Sequence, residues 1–444
     1  MSKMGKILCL LMGILLLGSV TVWAGGGGDK SGGSTVTTLP PGAKSLDKFT
    51  INYYDFNDDP AAMSSREKAF YANVEKLYKS LYPNATFNLT GISAGLDGLD
   101  VLQMQLSSGT GPDVFEFQDR IVQFATAGFL HDLSDQPWTK ELIDIALYGV
   151  SYNGKVYAAP NKAVGWGVQY DKKIYEDELG LRVPRNFQEF LDNCEKIKRA
   201  GYAPLVIGGG DGWPFYGIFN SFHSFLFGAN KNFHADLYNG KASLTGKEMN
   251  DMFAAIKTLY DKGYFSEASM SLPWGGALQF YADGKAAMTF LPGPMDLSDF
   301  GYKRDAGFFY IPDWNGYNCL SVNPADTSYA VSARYKNAST YGADLISCLV
   351  DVSSLHIKND DVGPASYKNK PMNFNNMAGK MYQEAFNRGP VVMQINLWIP
   401  ASANLGMEII SSIMSGNGFS QQMLNDMQRN YTADRNQINS NLFR

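Results

Sequence analysis

Cysteine and histidine are scarce in this 444-residue chain, with four of each. Cys9 lies in the first apolar stretch, which leaves Cys194, Cys319 and Cys348 as an odd, widely spaced set. No disulfide framework is expected to carry the fold, so stability has to come from a large core. Basic excess is missing too: 38 lysines and arginines stand against 43 acidic residues, for a net charge of −5. Nucleic-acid binding needs a positive footprint and is not expected. There is no HExxH, no CxxC pair and no EF-hand spacing, and no Walker sequence to cradle a phosphate, so neither a metal nor a nucleotide cofactor is expected. Past the first two dozen residues, no apolar run reaches the roughly 20 residues that span a bilayer.

What is present begins at the N-terminus. Lys3 and Lys6 precede an apolar run over 7–17, closed by Val22-Trp23-Ala24. This is the pattern of a secretory signal peptide over 1–24, which implies export to the periplasm, with a retained anchor as the competing reading. Cys9 sits early in the apolar run rather than at the cleavage position, which disfavours lipid attachment. Residues 25–47 open as GGGGDKSGGS, a flexible linker. About 400 residues remain, beyond the size at which single cores stop growing, so two domains are expected.

Periodicity then alternates. Residues 49–54 read as a strand, and 66–81 as an amphipathic helix through Phe70, Val74, Leu77, Tyr78 and Leu81. Strands over 85–90 and 113–117 flank a helix over 98–108. Asn153-Gly154 predicts a tight turn into a strand over 155–158. Further on, strands are expected over 165–170 and 204–208, with a helix over 186–200 capped by Asn186. Helices follow over 247–263 and near 278–283, then over 340–350, 377–387, 406–415 and 420–438. Such alternation argues for α/β domains with parallel sheets.

Several segments resemble the family 1 extracellular solute-binding proteins, the maltodextrin-binding-like sugar-binding components of bacterial ABC importers. They are LSSGTGPDVFEF at 106–117, YNGKVYAAP at 152–160, and VQYDKKIYEDELGLRVPRNFQEFLDNCEKIKRAGYAPL at 168–205. FYADGKAAMTFLPGP at 280–294 and IMSGNGFSQQMLNDMQ at 413–428 continue the series. The resemblance implies a two-lobed periplasmic-binding-protein fold of type II, an α/β architecture with a ligand cleft between the lobes. It places the first lobe at 48–159 and 326–358 and the second at 160–325 and 359–444. Hinge crossings fall near 160–164, 323–326 and 356–361. The implied partners are a carbohydrate and the permease subunits of an ABC importer, with the protein a monomer and not an enzyme.

Sugars offer hydroxyls that need paired donors and acceptors, and C–H faces that rest on aromatic rings. Sites in α/β lobes gather at the carboxyl ends of strands. On the first lobe that selects Asp55, Phe117, Asp119 and Arg120. On the second it selects Trp213, with Asp211, in the loop GGGDGWP; Trp166, which follows the first crossing implied by the resemblance, Trp274, Met295 and Asp296 are further candidates. Tryptophans beside glycine or proline are expected in loops. Trp398, in NLWIPA, occupies a place where similar sugar-binding proteins carry a stacking aromatic. Many relatives end the segment matching 291–295 in Gly-Pro-Trp; here Met295 stands there, so one stacking surface is missing. Non-sugar solutes such as a peptide or polyamine are the alternative ligands.

An enzymatic reading starts from Gly91-Ile92-Ser93-Ala94-Gly95, which matches the G-x-S-x-G nucleophile elbow between a strand and a helix. A hydrolase also needs an acid and a histidine brought to Ser93. His131, His223, His234 and His356 sit in no recognisable motif, and a chain this rich in glycine and serine produces such matches by chance.

Overall fold

A computed structural model describes residues 39–55, 65–92, 96–117, 120–356, 366–369, 377–393, 400–438 and 440–443. The chain divides into two compact units, Met1–Pro41 and Gly42–Arg444, and the elements below belong to the second.

Strand β1, Phe49–Asp55, buries Ile51, Tyr53 and Asp55 on alternate positions. Helix α1, Ser65–Leu81, answers with Tyr71, Val74 and Tyr78 on one buried face. β2 (Ala85–Gly91), α2 (Leu96–Ser108) and β3 (Val114–Phe117) continue the alternation. β1 lies parallel to β2 and β3, with Tyr53 opposite both Leu89 and Val114. Short helices α3 (Ile121–Thr126) and α4 (Asp144–Gly149) lead to the hairpin β4 (Ser151–Tyr152) and β5 (Lys155–Val156). Asn153 and Gly154 turn it with φ values of 48° and 75°, the left-handed pair that such two-residue loops require.

β6, Ala158–Asp171, is a single long strand; the strand expected over 165–170 is only its second half. After it come α5 (Phe187–Arg199), β7 (Ala203–Val206), α6 (Phe215–Ser221), α7 (Ser224–Ala229), α8 (Phe233–Tyr238) and α9 (Lys247–Asp261). Asn186 caps α5 as expected, accepting the Glu189 N–H at 2.9 Å. α10 runs Trp274–Ala282, so the helix expected near 278–283 starts earlier, through Gly275-Gly276. β8 (Ala286–Leu291), β9 (Ala306–Phe309), β10 (Ser321–Val331), α11 (Ala343–His356), α12 (Met377–Asn387) and β11 (Val391–Val392) follow. Helices Pro400–Met414 and Gln421–Asp434 come after them.

Strands run in the order β2-β1-β3-β10-β6-β8-β7, with β9 paired to β6 and β11 to β10. The antiparallel pair β6–β10 joins three separate cores. One gathers Tyr53, Val74, Leu102 and Phe115 with Ala158 of β6 and Ala330 of β10. Another gathers Val168 and Tyr170 of β6 with Phe187, Phe219, Ile256, Ile410 and Leu424, and a smaller third holds Val322 of β10 with Tyr281 and Leu291. Two of the expected crossings thus lie inside β6 and β10, and the pairing register slips between Asn323 and Asp326. The third expected crossing falls largely on residues 357–365, outside the described residues.

The turn after β6 is held by a buried charge: Asp171 accepts the Lys173 N–H at 3.0 Å and pairs with Arg304. His234 on α8 is buried as well, its Nε2 3.1 Å from the Val392 carbonyl oxygen. Burial holds its imidazole down from 6.5 to about 4. The folded state therefore resists a proton that the unfolded chain accepts. This contribution is fully present above pH 6.5 and is lost as the pH falls from 6.5 to about 4. The loss amounts to about 3 kcal/mol. Denaturant titrations of wild type and His234→Gln should diverge over that window, the wild type losing more stability; parallel curves would contradict the assignment.

Candidate ligand-binding site

Register alone locates where the strand ends meet. β3 ends at Phe117, level with Ser328 on β10 and Pro160 on β6. β8 approaches from the opposite direction and ends at Leu291, level with Gly167. β1 runs parallel to β3, and β7 parallel to β8. Two sets of carboxyl strand ends therefore face each other across Pro160 to Gly167, about 23 Å of extended chain. Loops leaving those ends carry most of the residues singled out from the sequence.

The second-core edge is aromatic. Trp166 lies in β6, within the stretch expected as a strand, 6 % exposed, and its ring covers α6 where Gly217 has no side chain. Beyond β7, the loop from Gly208 turns through Gly209–Asp211, and Gly212 with φ 72° reverses it. It packs tightly on the start of α10: a Cβ at Gly208 would stand 2.7 Å from the Trp274 Cα, and the Gly210 N–H donates to the Leu272 carbonyl at 2.9 Å. The Trp274 N–H in turn donates to Asp211 Oδ2 at 2.7 Å. Trp274 opens a helix, not the loop position expected of it.

Three tryptophans converge as a result. Ring centroids lie 4.9 Å apart for Trp213–Trp274, 6.3 Å for Trp166–Trp213 and 6.2 Å for Trp166–Trp274. Trp213 is 37 % exposed at the outer edge of the group. Trp314 is not part of it; that ring meets Phe187 edge-on at 4.8 Å.

The loop after β8 is pinned from below. Gln169, fully buried on β6, accepts the Met295 N–H at 2.9 Å and donates to the Met295 carbonyl at 3.3 Å. The Met295 side chain packs against the third core. Asp296 is exposed and accepts the N–H of Ser298 at 2.9 Å, a local turn.

The first-core edge is charged. Asp55 ends β1 and is 6 % exposed. Glu116, which sequence reasoning missed, is 8 % exposed and pairs across strands with Tyr329. Burial first, then the Glu116 and Asp55 charges, push the phenols of Tyr71 and Tyr329 upward, so both stay protonated donors. Arg120 precedes α3 with φ 28°, and its side chain is 6 % exposed rather than solvated on a rim. It pairs with Asp100, while its Nε is buried without an acceptor. Asp119, the side chain of Phe117, Trp398 and Ser93 lie outside the described residues.

Among the described residues, no three or more His, Cys, Asp or Glu side chains group to hold a metal, and no helix is long and apolar enough to cross a membrane. A profile of the bacterial extracellular solute-binding proteins matches residues 62–343, more than half of the chain. The chain belongs to that family. The multiple sugar-binding protein of Streptococcus mutans is 25% identical to this solute-binding protein over 310 residues, 66% of this chain and 69% of that one. An uncharacterized ABC transporter extracellular-binding protein of Pyrococcus horikoshii is 25% identical over 64% of each chain. Both alignments stop short of the relatives' full length. A chitin oligosaccharide binding protein of known structure superposes with a TM-score of 0.74 at 20% identity, covering 88% of this chain and all of that one. The solute-binding protein RafE in complex with raffinose superposes at 0.70 and 19% identity, over 87% of this chain and 100% of its own. The fold is thus the two-lobed, type II α/β architecture.

Seating of the Trp166 ring over Gly217 is directly testable. A Cβ at that position would run into the ring, so Gly217→Ala should destabilise the protein by about 1–3 kcal/mol and shift its tryptophan emission. Unchanged melting and emission would show that the ring is seated elsewhere.

Proposed function

We propose that this solute-binding protein captures a mono- or oligosaccharide between its lobes and delivers it to the membrane permease of an ABC importer, without performing chemistry on it. The lobes are assigned as 48–159 with 326–358, and 160–325 with 359–444. Export by the leader over 1–24 puts the mature chain in the periplasm as a monomer without a lipid anchor.

One observation carries the sugar reading: three tryptophans within 6.3 Å of one another stand where the strand ends converge. Indole faces suit sugar C–H surfaces and keep an N–H for a hydroxyl. Asp55, Arg120 and Asp119, with Phe117, are assigned to the facing lobe, where carboxylates and a guanidinium suit vicinal hydroxyls. Asp211, which accepts the Trp274 N–H, Met295 and Asp296 are assigned to the same lobe as the aromatic group, and Trp398 is assigned as a further stacking ring. The names of the S. mutans, chitin-oligosaccharide and raffinose-bound relatives point the same way. Ligand bridging both lobes favours the closed state because only that state supplies both sets of contacts.

A thermal-shift panel of sugars, peptides, amino acids and polyamines tests this, since a ligand that binds only the native state raises its melting temperature. A sugar, with raffinose and chitin oligosaccharides among those tried, should give the selective rise; a rise with only peptides or polyamines would overturn the reading. Calorimetry on Trp213→Ala should then show a loss of ~2 kcal/mol, about thirtyfold in affinity. Wild-type affinity would remove Trp213 from the site.

A further inference from the structure

We infer that Asp211 is a positioning residue of the aromatic group: its carboxylate caps the helix that carries Trp274 and fixes Trp213 against it, instead of contacting the ligand. This rests on the sugar-binding reading of the same site.

α10 starts at Trp274 directly after Pro273, and no side chain at that N-cap accepts a bond from the helix. First-turn N–H groups have no acceptor within their own helix. Asp211 provides one from a distant part of the chain, Oδ2 receiving the Trp274 N–H at 2.7 Å. That length is typical of a charge-assisted bond, and a carboxylate at a helix N-terminus is favoured by the helix dipole. The Asp211 carbonyl meanwhile accepts the Trp213 N–H at 2.8 Å. One residue therefore holds the main chain of both tryptophans, through its side chain on one side and its backbone on the other. Their rings stand 4.9 Å apart as a consequence. With Oδ2 committed to this bond, the carboxylate acts through the rings it sets.

A positioning role and a ligand contact respond differently to substitution. Asparagine keeps an oxygen that can accept the Trp274 N–H, whereas alanine leaves that N–H without one. Asp211 is exposed, so neither change removes core packing. Near-ultraviolet circular dichroism of the ligand-free protein reports the fixed packing of the tryptophans without any sugar present. Calorimetry with raffinose and with a chitin oligosaccharide reports the site.

Asp211→Ala should alter the ligand-free tryptophan bands and weaken sugar binding about tenfold, while Asp211→Asn should keep the wild-type spectrum and bind within about twofold. A wild-type spectrum for Asp211→Ala overturns the inference. So does an Asp211→Asn variant that loses as much affinity as Asp211→Ala with its spectrum intact, the signature of direct ligand contact. If the wild type binds neither sugar, the sugar reading loses its support, and the ligand-free spectra still decide what Asp211 does.

Discussion

Everything in the second unit hangs on the antiparallel pairing of β6 with β10. It runs from Ala158 opposite Ala330 to Trp166 opposite Ser321, and each strand feeds side chains into a core at either end. Because β1 and β3 sit on one end of this pair and β7 and β8 on the other, the direction of every parallel strand is set by it. Their carboxyl ends have to face each other. The pairing is interrupted at one place, where the register slips between Asn323 and Asp326. Beside it, Thr327 has a φ of 49°, an unfavourable angle for a β-branched residue. Strain and missing ladder bonds collect where the two cores would turn about each other.

The two facing edges differ in chemistry. On one, Gly208 and Gly217 let main chain and helix come close enough for Trp166, Trp213 and Trp274 to meet, and Gln169 holds the neighbouring loop by its backbone. On the other, Asp55, Glu116 and Arg120 are drawn below the surface, each less than a tenth exposed, among tyrosines that keep their protons. Aromatic area on one side and buried charge on the other is the division expected of a cleft for a polar molecule with apolar faces.

Much of this was legible in the sequence where a local rule operates. The alternation of 49–54, the helical spacing of 66–81, the Asn153-Gly154 turn and the Asn186 cap all match the structure because each depends on neighbours in the chain. β10 was not legible as a strand: Ser321, Pro324, Asp326 and Thr327 give it neither apolar alternation nor a full set of donors. β6 was read as shorter than it is, because Pro160 looks like a strand breaker, yet it lies within the pairing. Helix α6 buries all but one of its seven residues and so lacks a polar face to reveal its period, while α7 and α8 are only six residues long, too short to show one. In the site, strand ends pointed to Asp55 and Trp213, and the expected crossing pointed to Trp166. Glu116 could have been found from its alternation with Val114 in VFEF. The bond from Asp211 to Trp274 joins distant segments and leaves no local trace.

The most direct test of the clamp is small-angle scattering of the protein with and without a sugar that saturates it. Closure of the two edges about β6 and β10 predicts a smaller radius of gyration in the bound state, reached in step with occupancy. A bound protein with the radius of the free one would contradict the account, since the ligand would then occupy one edge alone.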